Sequence, residues 1–116
     1  MAVTANNVVS INTFEVPEAE KQTFLRLWEQ AHDVLIAQDG YLSSQLHQDT
    51  APGTRARFID VATWESEAAF KQALARPEVH SLLGPYGSET RRYQVVHADQ
   101  HWDPQLAARR AAYLAA

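Results

Sequence analysis

The stretch Arg57-Phe58-Ile59-Asp60-Val61-Ala62-Thr63-Trp64-Glu65-Ser66-Glu67-Ala68-Ala69-Phe70 decides the fold. Arg57 to Trp64 is rich in β-branched and aromatic residues and alternates, which predicts a strand. Phe58, Asp60, Ala62 and Trp64 point one way; Arg57, Ile59, Val61 and Thr63 point the other. Ser66 then offers an N-cap hydroxyl, and Glu67 places a negative charge in a first helical turn, so the strand runs straight into a helix. One side of this strand carries an acid and an indole among apolar neighbours, a mixture for which a pocket is one explanation.

Upstream, Thr50-Ala51-Pro52-Gly53-Thr54 is a turn, and Tyr41 to Asp49 is the strand that pairs with the opening stretch as a hairpin. Alternation puts Leu42, Ser44 and Leu46 on one side of it and Tyr41, Ser43, Gln45 and His47 on the other. A long helix precedes it, started by Pro17 and closed by Asp39-Gly40. Phe24, Leu27, Trp28, Ala31, Val34 and Leu35 form its apolar stripe, with Leu25, His32 and Ile36 as a shoulder. Val8 to Glu15 is the first strand, with Val9, Ile11 and Thr13 on one face and Val8, Ser10, Asn12 and Phe14 on the other.

Downstream, Arg76-Pro77 stops the second helix, and Pro77 to Leu83 reads as a short third one ended by Gly84-Pro85. Glu89 to Ala98 is the last strand, and Asp103-Pro104 caps an alanine-rich tail helix from Gln105 to about Leu114. The order β-α-β-β-α-β predicts an α+β, ferredoxin-like fold: a four-stranded antiparallel sheet with both main helices on one face, plus a C-terminal helix. Val9, Ile11, Ile59 and Val61 would then lie on the bare face. A contiguous apolar sheet face predicts a partner, most simply a second identical chain in a homodimer.

Bulk properties bound the function. The 116 residues suit one domain, and a hydrophobic content of 46% with 21% charged residues is that of a globular chain. A net charge of −4 and a pI near 5.6 argue against nucleic-acid binding. Without cysteine there is no disulfide, zinc–thiolate site or thiol nucleophile. No apolar run approaches the roughly twenty residues of a membrane span, and the first residues lack the pattern of a signal peptide. A cytoplasmic location is the working expectation, with neither nucleic acid nor membrane as a partner.

Several motifs together resemble the antibiotic biosynthesis monooxygenase (ABM) family of dimeric α+β barrels. They are Asn12-Thr13-Phe14-Glu15-Val16, Asp39-Gly40-Tyr41-Leu42, Leu46-His47 and the corner Trp64-Glu65-Ser66-Glu67-Ala68-Ala69-Phe70. The resemblance covers roughly Val8 to Ala98. It implies an ABM-like domain over residues 1–100, assembled as a dimeric barrel, with residues 101–116 as a helical extension. The family includes cofactor-free oxygenases of aromatic polyketides, haem-degrading enzymes and proteins without a known substrate. The tryptophan of the polyketide oxygenases is matched by Trp64. Their asparagine and tyrosine are replaced by Asp60, which when ionised cannot donate a hydrogen bond, and by Phe70, which has no hydroxyl. The first-strand asparagine of the haem-degrading branch is matched by Asn12. Ala73 and Leu83 stand where that branch needs a tryptophan and a nearby ligating histidine, which disfavours haem degradation.

These residues define the candidate site. Asp60 on an inward strand position would be desolvated into a stronger base, the alternative being an acid in solvent or paired with Arg57 or Arg92. His47, on the neighbouring strand, would share a proton with Asp60 if the register put both on one face. Otherwise it is an exposed histidine. Asn12 would hold a substrate oxygen or tie its strand to a neighbour. Trp64 and Phe70 would form the pocket wall or serve the core, while His32, His80 and Tyr86 would line the mouth or sit at the surface. His97 and His101 lack a third ligand, so no metal is expected, and without a Gly-rich phosphate loop no cofactor is expected either. The reading is cofactor-independent oxidation of a small hydrophobic, aromatic or polyketide-like substrate. The alternatives are a cyclase or isomerase on the same scaffold and a non-catalytic binding or stress-response module.

Overall fold

The computed structural model describes residues 6–51, 53–87, 89–98 and 104–116. In order these form β1 (Val8–Pro17), α1 (Lys21–Ile36), β2 (Tyr41–Gln48), β3 (Arg55–Trp64), α2 (Glu67–Leu74), α3 (Pro77–Leu83), β4 (Glu89–Gln94) and α4 (Pro104–Ala115). Short 3-10 turns at Glu18–Glu20 and Gly84–Tyr86 lead into α1 and out of α3. The strands make one sheet in the order β2-β3-β1-β4, antiparallel at every neighbouring pair. This is the α+β, ferredoxin-like arrangement.

Both main helices cover the sheet face that carries Phe14, Phe58, Ala62 and Trp64, because that is where the strands place their large apolar side chains. Phe24 of α1 is the hub of one cluster. Its ring meets Phe14 at 5.2 Å, Phe58 at 4.8 Å and, edge-on, Tyr86 at 5.3 Å. Under α2 a second cluster joins Ala62, Trp64, Phe70 and Ala73. The corner between β3 and α2 is built as its sequence predicts: Ser66 caps the helix by accepting from the Ala69 N–H at 3.1 Å. Gly40 takes a positive φ of 83° and its carbonyl accepts from the Glu65 N–H at 2.7 Å, which ties the start of β2 to this corner.

The structure departs from strict alternation in β2. Pairing with β3 passes from Tyr41↔Trp64 to Ser43↔Thr63, so Leu42 is an extra residue in a β-bulge. Tyr41 therefore lies on the helix face with Ser44 and Leu46, and not with Ser43, Gln45 and His47. The last strand is shorter than its sequence pattern and ends at Gln94, although Val95 still exchanges backbone hydrogen bonds with Asn6 and Asn7. On the face away from the helices, Val9, Ile11, Ile59 and Val61 are half-buried. In α4 the side chains of Tyr113 and Leu114 are exposed. Pro52 of the hairpin turn, Ser88, His101 and Asp103 lie outside the described residues.

Candidate functional site

Between the two clusters the core is incomplete. A cavity of about 140 Å³ opens there, walled by Phe14, Leu35, Ala62, Trp64, Phe70, Leu74, Val79 and Leu83. Polar groups enter from the strands alone: Ser10 and Asn12 of β1, Asp60 of β3 and Thr90 of β4. Two of the lining residues, Thr90 and Gly84, are exposed, which puts the mouth between the start of β4 and the turn after α3. On the far side of Phe70 the Arg92 guanidinium sits 5.7 Å from the ring centroid and pairs with Glu67 at 2.9 Å.

Antiparallel pairing sets Asn12 directly opposite Asp60, and Thr90 opposite Asn12 on the other side. The three side chains form a short series. Thr90 Oγ1 donates to Asn12 Oδ1 at 2.7 Å, and Asn12 Nδ2 donates to Asp60 Oδ2 at a long 3.5 Å. Because Asp60 Oδ2 accepts, the amide must turn its NH₂ to the acid and its oxygen to the threonine. Asp60 is only 3% exposed, and its other oxygen, Oδ1, is buried without a hydrogen-bond partner. Burial pushes its carboxyl above the usual carboxylate range. Asn12, the Trp28 indole and the charges of His32 and His47 oppose that shift without cancelling it. The Trp28 N–H favours the charged form, yet it closes no hydrogen bond to Oδ1. A buried, half-satisfied acid in an apolar cavity is the arrangement of a proton acceptor.

Of the residues singled out by sequence, Asn12, Asp60, Trp64 and Phe70 line the cavity together. Trp64 is held by its indole, which donates to Ser10 Oγ at 3.4 Å. His47 is not brought to Asp60. The register pairs it with Ile59, one residue before Asp60, so its exposed ring is on the opposite sheet face and the proposed acid–imidazole pair does not form. Among the described side chains, the imidazole on the acid's own side of the sheet is His32, which stacks on Trp28 and contacts Tyr41 rather than lining the cavity. Tyr86 packs against Phe24 in the core. The side chain of His80 lies outside the described residues. Among the described residues no three His, Cys, Asp or Glu side chains form a cluster able to hold a metal ion.

Sequence reasoning missed Thr90 and the part played by Trp28. Thr90 opens an exposed strand, where nothing in the pattern marks it. Trp28 falls in the apolar stripe of α1 and reads as packing, although an indole N–H among apolar residues was a signal that a polar partner was near.

Comparison with known proteins agrees with this fold. Residues 7–82 match the antibiotic biosynthesis monooxygenase family. A Shewanella loihica protein, whose assignment as a monooxygenase is provisional, is 34% identical in sequence. Its structure superposes with a TM-score of 0.66 over 83% of this chain and 100% of that one. SnoaB, a cofactor-independent oxygenase from Streptomyces nogalater, shares the fold at 19% identity and a TM-score of 0.65, over 84% of this chain and 97% of its own. A Deinococcus radiodurans protein provisionally assigned to antibiotic biosynthesis monooxygenases has a TM-score of 0.70 at 18% identity, over 83% of this chain and 99% of that one. No curated protein matches the sequence. With the family match spanning most of the sheet and the cavity's acid, the chain belongs to the antibiotic biosynthesis monooxygenase family.

Proposed function

We propose that this protein is a cofactor-independent monooxygenase of a small hydrophobic aromatic compound, with Asp60 as the base. One observation carries the reading: a carboxyl only 3% exposed, with one oxygen that has no hydrogen-bond partner, lines a mostly apolar cavity. Asp60 Oδ1 would accept the proton of a phenol or an acidic ring C–H. Asn12, held in orientation by Thr90, would donate to the substrate oxygen as charge develops on it. The resulting phenolate or carbanion is electron-rich and can give up electrons to dioxygen. A C–O bond forms at the ring carbon, the peroxide takes back a proton, and loss of water leaves a quinone. For a naphthol the balance is ArOH plus O₂ to quinone plus H₂O. Trp64 and Phe70 would stack on the ring.

Cavity volume narrows the substrate. A space of 140 Å³ is of the order that accepts a single benzene ring, so the reacting ring would sit inside and any fused rings or side chain would project through the mouth. Oxygen uptake by the purified protein with a series from hydroquinones through naphthols to anthrones is the test. We expect uptake with a preference for the smaller members, and a fall in kcat/KM of about 10²–10⁴ for Asp60→Asn. No uptake from any member that demonstrably binds would sink the oxygenase reading. Product formed equally well without dioxygen would select a cyclase or isomerase, which uses the same base. The site-bearing unit is residues 1–100, residues 101–116 are an extension, and two chains meet through the open sheet face. Among the described residues no helix is long and apolar enough to cross a membrane, and the substrate is envisaged as a compound of the cytoplasm.

A further inference from the structure

Gly40 and Gly87 take positive φ values of 83° and 59°, a backbone that calls for glycine. Gly84 has no such φ, and a Cβ built on it would meet no atom within 4 Å. A left-handed backbone and close packing, two common reasons for a glycine, are both missing there. Yet Gly84 lines the cavity, and with Thr90 it is one of the two lining residues that are exposed. The turn that carries it is anchored on both sides. Buried Leu83 belongs to the cavity wall, and Tyr86 sets its ring against Phe24, with centroids 5.3 Å apart. The Gly84 carbonyl accepts from the Gly87 N–H at 3.1 Å, which closes the turn.

We infer that Gly84 is a specificity-determining residue: the room left by its absent side chain is the exit through which a substrate longer than the cavity extends, between Gly84 and Thr90. The inference rests on the proposed function for the class of ligand, a fused-ring aromatic compound. A space of about 140 Å³ is filled by one ring, so a second or third ring has to leave it, and the exposed lining residues mark where. A side chain at position 84 would oppose the longer ligand with a clash and leave the shorter one alone. Apart from Asp60, no charged side chain is among the described residues that line the cavity. The projecting rings therefore meet a hydroxyl and a peptide rather than a charge. A proline crowds the Cβ of the residue before it, so Pro85 gives the glycine a second, purely local use, and the test has to separate the two.

Equilibrium dialysis in oxygen-free buffer measures binding apart from reaction, with hydroquinone, 1-naphthol and anthrone as probes of increasing length. In the full-length protein, Gly84→Leu should leave hydroquinone binding unchanged and weaken anthrone binding by about tenfold or more, with 1-naphthol between them. Retained hydroquinone binding also shows that the variant is folded. Gly84→Leu combined with Pro85→Ala, which relieves the crowding, should show the same selectivity. Gly84→Ala should give a smaller loss in the same order of probes, and it decides the matter if the leucine variant does not fold. Equal weakening of all three probes, no change in any, or selectivity that vanishes in the double variant overturns the inference, as does failure of the original protein to bind any probe. A length-dependent loss of affinity without oxygen uptake by the original protein leaves the exit standing and removes the oxygenase. Oxygen uptake with no length-dependent loss removes the exit alone.

Discussion

Asp60 carries its carboxyl at only 3% exposure, and that has a consequence for stability. Its folded-state pKa lies above the unfolded value of about 3.9. Below the unfolded value the acid is neutral in both states and burial of a charge costs nothing. As pH rises through the folded value the buried carboxyl must ionise, and the stability associated with the neutral form is lost. Asp60→Asn removes the charge and keeps the shape. The melting temperature of the variant, relative to that of the original protein, should therefore climb from roughly pH 4 toward neutrality. A pH-independent difference would show that the acid is not destabilised by its charge. How far such residues are legible from sequence depends on what fixes their direction. Asp60, Asn12, Trp64 and Phe70 were legible because two long, regular strands and a capped helix fix where each points. His47 was not, because its face depends on a register set through a turn.

At the scale of elements, the corner that joins β3 to α2 also holds the start of β2. A Cβ placed on Gly40 would come within 2.5 Å of Ala69 Cβ, and Gly40 already sits at φ +83°. Gly40→Ala is strained by its backbone and by the clash together, and α2 would have to move, taking Phe70 and one wall of the cavity with it. We expect a loss of about 2–5 kcal/mol in urea denaturation; a loss under about 0.5 kcal/mol would mean that the corner yields freely. The order of elements and most of their boundaries were readable from periodicity, capping residues and the glycine and proline punctuation. The bulge was not. An extra residue leaves composition and alternation on either side intact and reverses only the side chains before it, so Tyr41 was assigned to the wrong face and its link to His32 was invisible.

For the whole molecule, the two sheet faces are unlike in kind. One is covered by helices and contains the cavity; the other presents half-buried Val9, Ile11, Ile59 and Val61, with Ile11 and Val61 directly paired. If two copies meet there, Ile11→Asp should convert the dimer to monomer in sedimentation velocity without lowering the stability of the isolated subunit, since the side chain does not enter the helix-covered core. Equal sedimentation of the two proteins would place the interface elsewhere. Exposed Tyr113 and Leu114 on α4 give the tail an apolar surface that could take part in the same contact, and the same measurement on a chain shortened by residues 105–116 would reveal it.

The series from Thr90 through Asn12 to Asp60 also sets a timetable. Asn12 is bonded to residues 48 and 78 positions further along the chain, so the three meet only through contacts of high sequence separation, which are slow to form. During synthesis the hairpin of β2 and β3 can pair, and α1 can dock on it, well before β4 has been made. Until β4 arrives beside β1, the amide of Asn12 is held from one side only, by its long bond to Asp60. The polar row across the cavity is therefore complete only once the last strand of the sheet has joined.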